Sequence, residues 1–164
     1  MDRIFNKMNY YDAIADGYEE LYREEQEKKI TLIKENFQIN KEDKVLDLGC
    51  GPGFMNLDCE LYRVDPSEKL LDMAEGKKVL ACAEDLPFPD NTFDKVISVT
   101  AMQNFSNLEK AVKEMKRVCH GKFAISFLKK SPKRQQIEKI IQREFDIEKT
   151  LEEAVDILII ANYK

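Results

Sequence analysis

Val45-Leu46-Asp47-Leu48-Gly49-Cys50-Gly51-Pro52-Gly53 is a short apolar run, broken by one aspartate, that ends in three alternating glycines. The run reads as a buried strand. The glycines read as a turn whose backbone must pass close to a neighbour, because glycine lacks the Cβ that would hold it away. Strand ends that open into such turns are where α/β sheets bind nucleotides.

Outward from this stretch the chain alternates. Strands are expected at Lys44–Gly49, Glu60–Val64 (ending on Asp65), Lys78–Cys82, Phe93–Val99 and Lys122–Leu128. Leu70, Leu71 and Ala74 mark a short helix closed by Gly76. Leu108, Val112, Met115 and Cys119 form a helical stripe that Ser106 and Glu109 open as a capping box and Gly121 ends. Ser131-Pro132 starts a helix buried through Ile137, Ile140 and Ile141. Two final strands, Phe145–Thr150 and Val155–Asn162, are joined by too few residues for a crossover and should pair antiparallel. Upstream, Ile14, Tyr18, Leu21, Ile30, Ile33 and Phe37 recur at near-helical spacing, with Gly17 as a break. The pattern implies a mainly parallel sheet with helices on both faces.

The 164 residues fit one domain, and the net charge of −5 argues against a domain that grips nucleic acid through bulk charge alone. No apolar run approaches the ~18 residues of a membrane span, and no secretory leader is visible. Cys50, Cys59, Cys82 and Cys119 form no C-x-x-C pair, so no metal site is expected and a reduced, cytoplasmic protein is.

In a parallel sheet four stretches share the C-terminal edge: the glycine turn, Asp65, the loop Ala83-Glu84-Asp85-Leu86-Pro87, and Val99–Phe105. Asp65 is placed to accept hydrogen bonds from a ribose diol or to cap the helix that begins near Ser67. Phe54 stands where a G-x-G-x-x-G fingerprint needs its third glycine, and no Gly-Lys-Ser/Thr ending follows, so nicotinamide and Walker-type sites are disfavoured. Asp47 would repel a pyrophosphate and favour a cation. An adenosine bearing a sulfonium and an ammonium has these properties.

VLDLGCGPG, VDPSEKLLDMA, AEDLPFPDNTFDKVIS and EMKRV closely resemble the successive motifs of class I S-adenosylmethionine-dependent methyltransferases, over about Tyr10 to the C-terminus. The resemblance implies a Rossmann-like three-layer α/β sandwich with a seven-stranded sheet of order 3-2-1-4-5-7-6, the last strand antiparallel. It implies a single domain, 1–164, with an N-terminal helical lid over 1–40 and a core over 41–164. Asp47, Gly49 and Gly51 would face the methionine part of S-adenosylmethionine, Asp65 the ribose, and the Ala83 backbone N–H the adenine. Cys50, Pro66, Cys82, Glu84 and Thr100 complete the implied cofactor set, which S-adenosylhomocysteine would share as product. Tyr10, Tyr11 and Tyr18, in YDAIADGY, either close over the cofactor or pack on the sheet.

Two departures stand out. Cys82 replaces an aspartate that many relatives direct at adenine, so adenine recognition either passes to Glu84 or Asp85 or is weaker. Only 12 residues separate Gly53 from Asp65, so the first crossover helix must be shortened or absent. That abbreviated link is similar to the tRNA wobble-uridine carboxymethyl methyltransferases, which esterify a carboxylate and work with a small zinc-binding activator protein. Their paired histidines after strand four correspond here to Gln103 and Asn104, candidate acceptor ligands. Thr100–Phe105 holds no titratable side chain, and no catalytic residue is assigned. An acceptor that is already anionic needs no base. Lys129, Lys130, Lys133 and Arg134 form either a solvated helix start or a tRNA-contacting patch. The acceptor is thus a tRNA base or a small metabolite. The alternative is a cofactor-binding module that depends on or serves a protein partner.

Overall fold

The computed structural model describes Asp12 and residues 23–164. Seven strands form one sheet: β1 (Lys44–Leu48), β2 (Glu60–Asp65), β3 (Lys77–Leu80), β4 (Phe93–Ser98), β5 (Cys119–Leu128), β6 (Phe145–Glu152) and β7 (Asp156–Tyr163). Their order is β3-β2-β1-β4-β5-β7-β6, parallel except for β7, which runs antiparallel to both β5 and β6. The described helices are α1 (residues 23–36), α2 (Glu68–Met73), α3 (Leu108–Val118) and α4 (Arg134–Glu144), with a 3₁₀ turn at Met102–Asn104.

Period-two alternation divides the core. Val96, Phe123, Ile125, Phe127, Ile157 and Ile159 face α3 and α4, where Met115, Ile137 and Ile141 are fully enclosed. Val45, Ile97, Ala124, Leu158 and Ile160 face α1 through Ile30, Ile33 and Phe37. Burying each of those side chains, Phe37 lying just past the end of α1, contributes about 2 kcal/mol, so this helix is held on the sheet by packing rather than propensity. None of the described helices is long and apolar enough to cross a membrane.

The first crossover helix is absent: residues 51–59 are turns, bends and coil. Met55 is buried in the α1 layer, with Phe54 and Leu57 packed against it. Apolar side chains on a loop therefore fill the place a helix would occupy.

Three expected boundaries are corrected. Asn107, not Ser106, caps α3: its side chain accepts the Lys110 N–H at 3.0 Å, while Ser106 and Asn107 donate their own N–H groups to Glu84 Oε1 at 2.7 and 3.0 Å. Gly121 does not end α3. The helix stops at Val118, Cys119 and His120 open β5, and Gly121 sits inside that strand at a register shift where a Cβ would stand 2.1 Å from the Asp94 carbonyl oxygen. α4 begins at Arg134 with Lys133 as its cap, and Ser131 Oγ instead accepts the Lys133 N–H at 3.1 Å.

Candidate cofactor site

β1 delivers the chain to Gly49, whose φ of +75° turns it sharply off the sheet edge. A Cβ there would lie 2.6 Å from Ala101 Cβ, so the close neighbour expected of this turn includes the segment after β4. The turn hangs from the end of β2. Gly49 and Cys50 donate to the Val64 carbonyl at 2.8 and 3.0 Å, and Gly51 donates to Asp65 Oδ2 at 2.8 Å. The other Asp65 oxygen accepts the Ser67 N–H at 2.9 Å, and Ser67 in turn caps α2. Asp65 thus braces two turns while facing a pocket, and carboxylate oxygens have further lone pairs for hydroxyl donors. Burial raises its pKa, the negative charge of Asp12 adds to this, and the two backbone amides oppose it.

The pocket, about 760 Å³ with its open mouth included, lies along the C-terminal strand ends. Gly49, Gly51, Asp65, Pro66, Cys82, Ala83, Glu84, Thr100 and Asn104 line it, nine residues expected from the sequence. Leu70, Ala81, Val99, Ala101, Phe105 and Ser106 add apolar and small surfaces beyond the residues assigned individually to cofactor or acceptor. Asp47 and Cys50 line a smaller adjoining cavity of about 320 Å³ that shares Gly49 and Val99 and takes Gln26 from α1. Gln103 lines neither; its amide nitrogen donates to the Thr100 carbonyl at 2.6 Å. Tyr10, Tyr11 and Tyr18 lie outside the described residues. Asp85 is exposed and does not line the pocket, whereas the Glu84 carboxylate spans from the β3 side to the start of α3.

Asp47 does not present a bare carboxylate. Arg63, directly opposite on β2, brings Nη1 to 3.3 Å from its Oδ2. Burial lifts the Asp47 carboxyl to about 7, the Asp65 charge adds to this, and the guanidinium opposes both. The Cys82 thiol is also raised, by burial and by Glu84 and Asp65, so it stays protonated at neutral pH.

Behind Thr100 lies a buried polar cluster with no signature in the motif pattern. Lys29 Nζ sits 3.1 Å from Asp156 Oδ1 and 2.7 Å from Glu25, and Asp156 Oδ2 accepts from Thr100 and Ser126. A sequence signal existed at each end: Lys29 adjoins Ile30 on the inward stripe of α1, and Asp156 opens an otherwise apolar strand. Their meeting is a tertiary fact.

The basic group after β5 is largely paired locally. Lys129 meets Glu152 at 3.1 Å, Arg134 meets Glu138 at 2.9 Å, and Lys133 donates to the Phe105 carbonyl at 2.8 Å. Lys130 is exposed.

The pocket fits an adenosine-type ligand: an acidic acceptor at the tip of β2, a glycine turn with N–H groups beside it, and apolar walls at Leu70, Ala81 and Phe105. Comparison with known proteins agrees. A family model described as a methyltransferase domain matches residues 46–125. An uncharacterised protein of Methanocaldococcus jannaschii is 37% identical over 118 residues, 66% of this chain and 45% of the relative. The chain spans about half the length of the first curated relatives it matches. Magnesium protoporphyrin IX methyltransferase from Synechocystis, solved with bound S-adenosylmethionine, shares the fold at a TM-score of 0.76 and 16% identity, covering 100% of this chain and 98% of that one. A chain from the complex of the Haloferax volcanii Trm112 methyltransferase activator aligns at a TM-score of 0.74 and 15% identity, covering 93% and 97%. Sheet order, the ordered motifs and the family match together show that the chain carries a class I S-adenosylmethionine-dependent methyltransferase domain.

Proposed function

We propose that the chain transfers a methyl group from S-adenosylmethionine to an acceptor at the mouth of the pocket, releasing S-adenosylhomocysteine. The carrying observation is the convergence of Asp65, the glycine turn and the 81–84 loop on one pocket. The cofactor supplies a methyl on a sulfonium, which leaves as a neutral thioether when the acceptor attacks in line. The protein's contribution is then orientation and exclusion of water. Asp65 holds the ribose hydroxyls. Gly49 and Gly51 allow close approach of the methionine part, with Cys50 and Pro66 flanking. Cys82, the Ala83 N–H and Glu84 border the adenine. Asp47, when ionised, adds negative potential behind the sulfonium and ammonium that the Arg63 guanidinium partly offsets, and Thr100 forms part of the pocket wall.

For the acceptor we favour a group that ionises on its own, a carboxylate or thiolate, on a tRNA base or a small metabolite. Thr100–Phe105 offers no titratable side chain, and Asn104 in the pocket can donate a hydrogen bond to an anion. Gln103, turned onto Thr100, would act through that residue. With Lys129, Lys133 and Arg134 paired locally, the exposed Lys130 is the member of that group of four open to an RNA contact. A small activator protein, zinc-binding in the wobble-uridine enzymes, fits the likeness to the Haloferax volcanii complex. We also propose one domain, with residues 1–40 as a cover over the 41–164 core. In support, Asp12 accepts hydrogen bonds from the Ser67 hydroxyl and the Lys69 N–H at the rim. Four free cysteines suit the cytoplasm.

Calorimetric titration with S-adenosylhomocysteine and with NAD tests the cofactor, and methyl-labelled cofactor with bulk tRNA or metabolite extract tests transfer. Binding of the first ligand without the second is expected. Failure to bind S-adenosylhomocysteine overturns the reading.

A further inference from the structure

Lys29, Asp156, Ser126 and Thr100 come from α1, β7, β5 and the turn after β4, and meet beneath the pocket wall. The Lys29 and Asp156 side chains are each only 1% exposed. Burying such a pair carries a desolvation cost that two aliphatic side chains would avoid, and the surrounding layer of Ile30, Ile33, Leu158 and Ile160 is already aliphatic. The cluster therefore calls for an explanation beyond stability.

Thr100 supplies one. It is β-branched yet holds φ at +52°, a conformation such residues rarely adopt unless their surroundings impose it. Every polar group it has is engaged. Its hydroxyl accepts from Lys29 Nζ at 2.9 Å and donates to Asp156 Oδ2 at 2.6 Å. Its N–H donates to the Ser126 carbonyl at 3.1 Å and to Ser126 Oγ at 2.9 Å, and its carbonyl accepts from Gln103 at 2.6 Å. The next residue, Ala101, is the one that a Cβ at Gly49 would strike. The torsion at Thr100 thus sets the gap between the glycine turn and the opposite wall.

We propose that Lys29 and Asp156 are positioning residues whose ion pair locks Thr100 in the left-handed conformation and so keeps the pocket preformed for the cofactor. The inference rests on the methyltransferase reading of the same pocket. Neither residue need touch cofactor or acceptor.

The test combines S-adenosylhomocysteine affinity with thermal unfolding for the whole chain and four variants: Asp156→Asn, Thr100→Gly, the two combined, and Lys29→Met with Asp156→Leu. Asp156→Asn leaves Lys29 its Glu25 partner, so folding should survive, while affinity falls about tenfold, ~1.4 kcal/mol. Thr100→Gly adopts positive φ without strain but removes a pocket-lining side chain, so its own affinity is the reference for the second substitution. In that background Asp156→Asn should still lower the melting temperature but weaken binding less than about twofold. The aliphatic double variant should fold and bind about tenfold more weakly. Equal loss of affinity from Asp156→Asn in the wild-type and Thr100→Gly backgrounds, or native affinity in the folded aliphatic variant, would reduce the pair to a stabilising role and overturn the proposal. Failure of the wild-type chain to bind S-adenosylhomocysteine would instead remove the methyltransferase reading.

Discussion

Arg63 and Asp47 face each other across the β1–β2 pair, Nη1 to Oδ2 at 3.3 Å, with side chains 6% and 5% exposed. Arg63 also donates through Nε to the Glu75 carbonyl at 2.9 Å and through Nη2 to Asn56 Oδ1 at 3.3 Å. One guanidinium therefore ties β1, the loop that replaces the first crossover helix, and the end of α2.

Removing that tie should cost most where Asp47 is ionised. Burial raises the folded-state pKa of Asp47 from 3.8 to about 7. The stabilisation from its bound proton is fully present below about pH 4 and is lost as pH rises through 7. Arg63→Met should lose about 3 kcal/mol at pH 8 and clearly less at pH 5.5. Urea unfolding at the two pH values measures this, and a pH-independent loss would show that Arg63 does not act through the Asp47 charge.

The same titration should reach the ligand. Sulfur carries a positive charge in S-adenosylmethionine and none in S-adenosylhomocysteine, so an ionised Asp47 favours the former. The affinity ratio of the two ligands should rise several-fold between pH 6 and 8 in wild type. Asp47→Asn should flatten it. Competition binding across that range is the measurement.

Gly49 and Gly76 separate backbone conformation from close approach. Both have positive φ, +75° and +81°, but a Cβ at Gly49 would lie 2.6 Å from Ala101 whereas one at Gly76 meets nothing within 4 Å. Each alanine substitution should cost about 1 kcal/mol in backbone strain. Only Gly49→Ala should also weaken S-adenosylhomocysteine binding, by more than about tenfold, as calorimetry would show.

Asp65 anchors the glycine turn and faces the pocket at once. An amide at this position keeps one acceptor oxygen and loses the charge, so either the Gly51 or the Ser67 N–H loses its partner. Asp65→Asn should reduce cofactor affinity about 10- to 100-fold, in line with the ~1.5–3 kcal/mol of a charge-assisted hydrogen bond. A change smaller than about threefold would exclude Asp65 from the ribose role.

Much of the fold was legible because its signals are local. Apolar runs ending at Asp47 and Asp65, the short Gly53–Asp65 interval and the brief link between the last two strands require only the residues themselves, and the resemblance supplied the strand order. Helix and strand ends were less so. Ser106 is a good cap by composition, but Glu84 takes its N–H, and Gly121 has the residue type of a helix terminator yet answers to Asp94 on a neighbouring strand.

The sequence by itself determined the parallel sheet, its ligand-binding edge and most of the pocket's lining, since strand-end motifs in a wound sheet converge whatever the details of packing. Only the tertiary structure decided how charge is managed around that edge. Asp47 meets Arg63 16 residues away, Lys29 meets Thr100 across 71 residues, and Thr100 meets Asp156 across 56. Buried charges find partners because the low-dielectric interior makes isolation costly, and which partner is within reach depends on how α1, β2 and β7 are laid against the same strand ends.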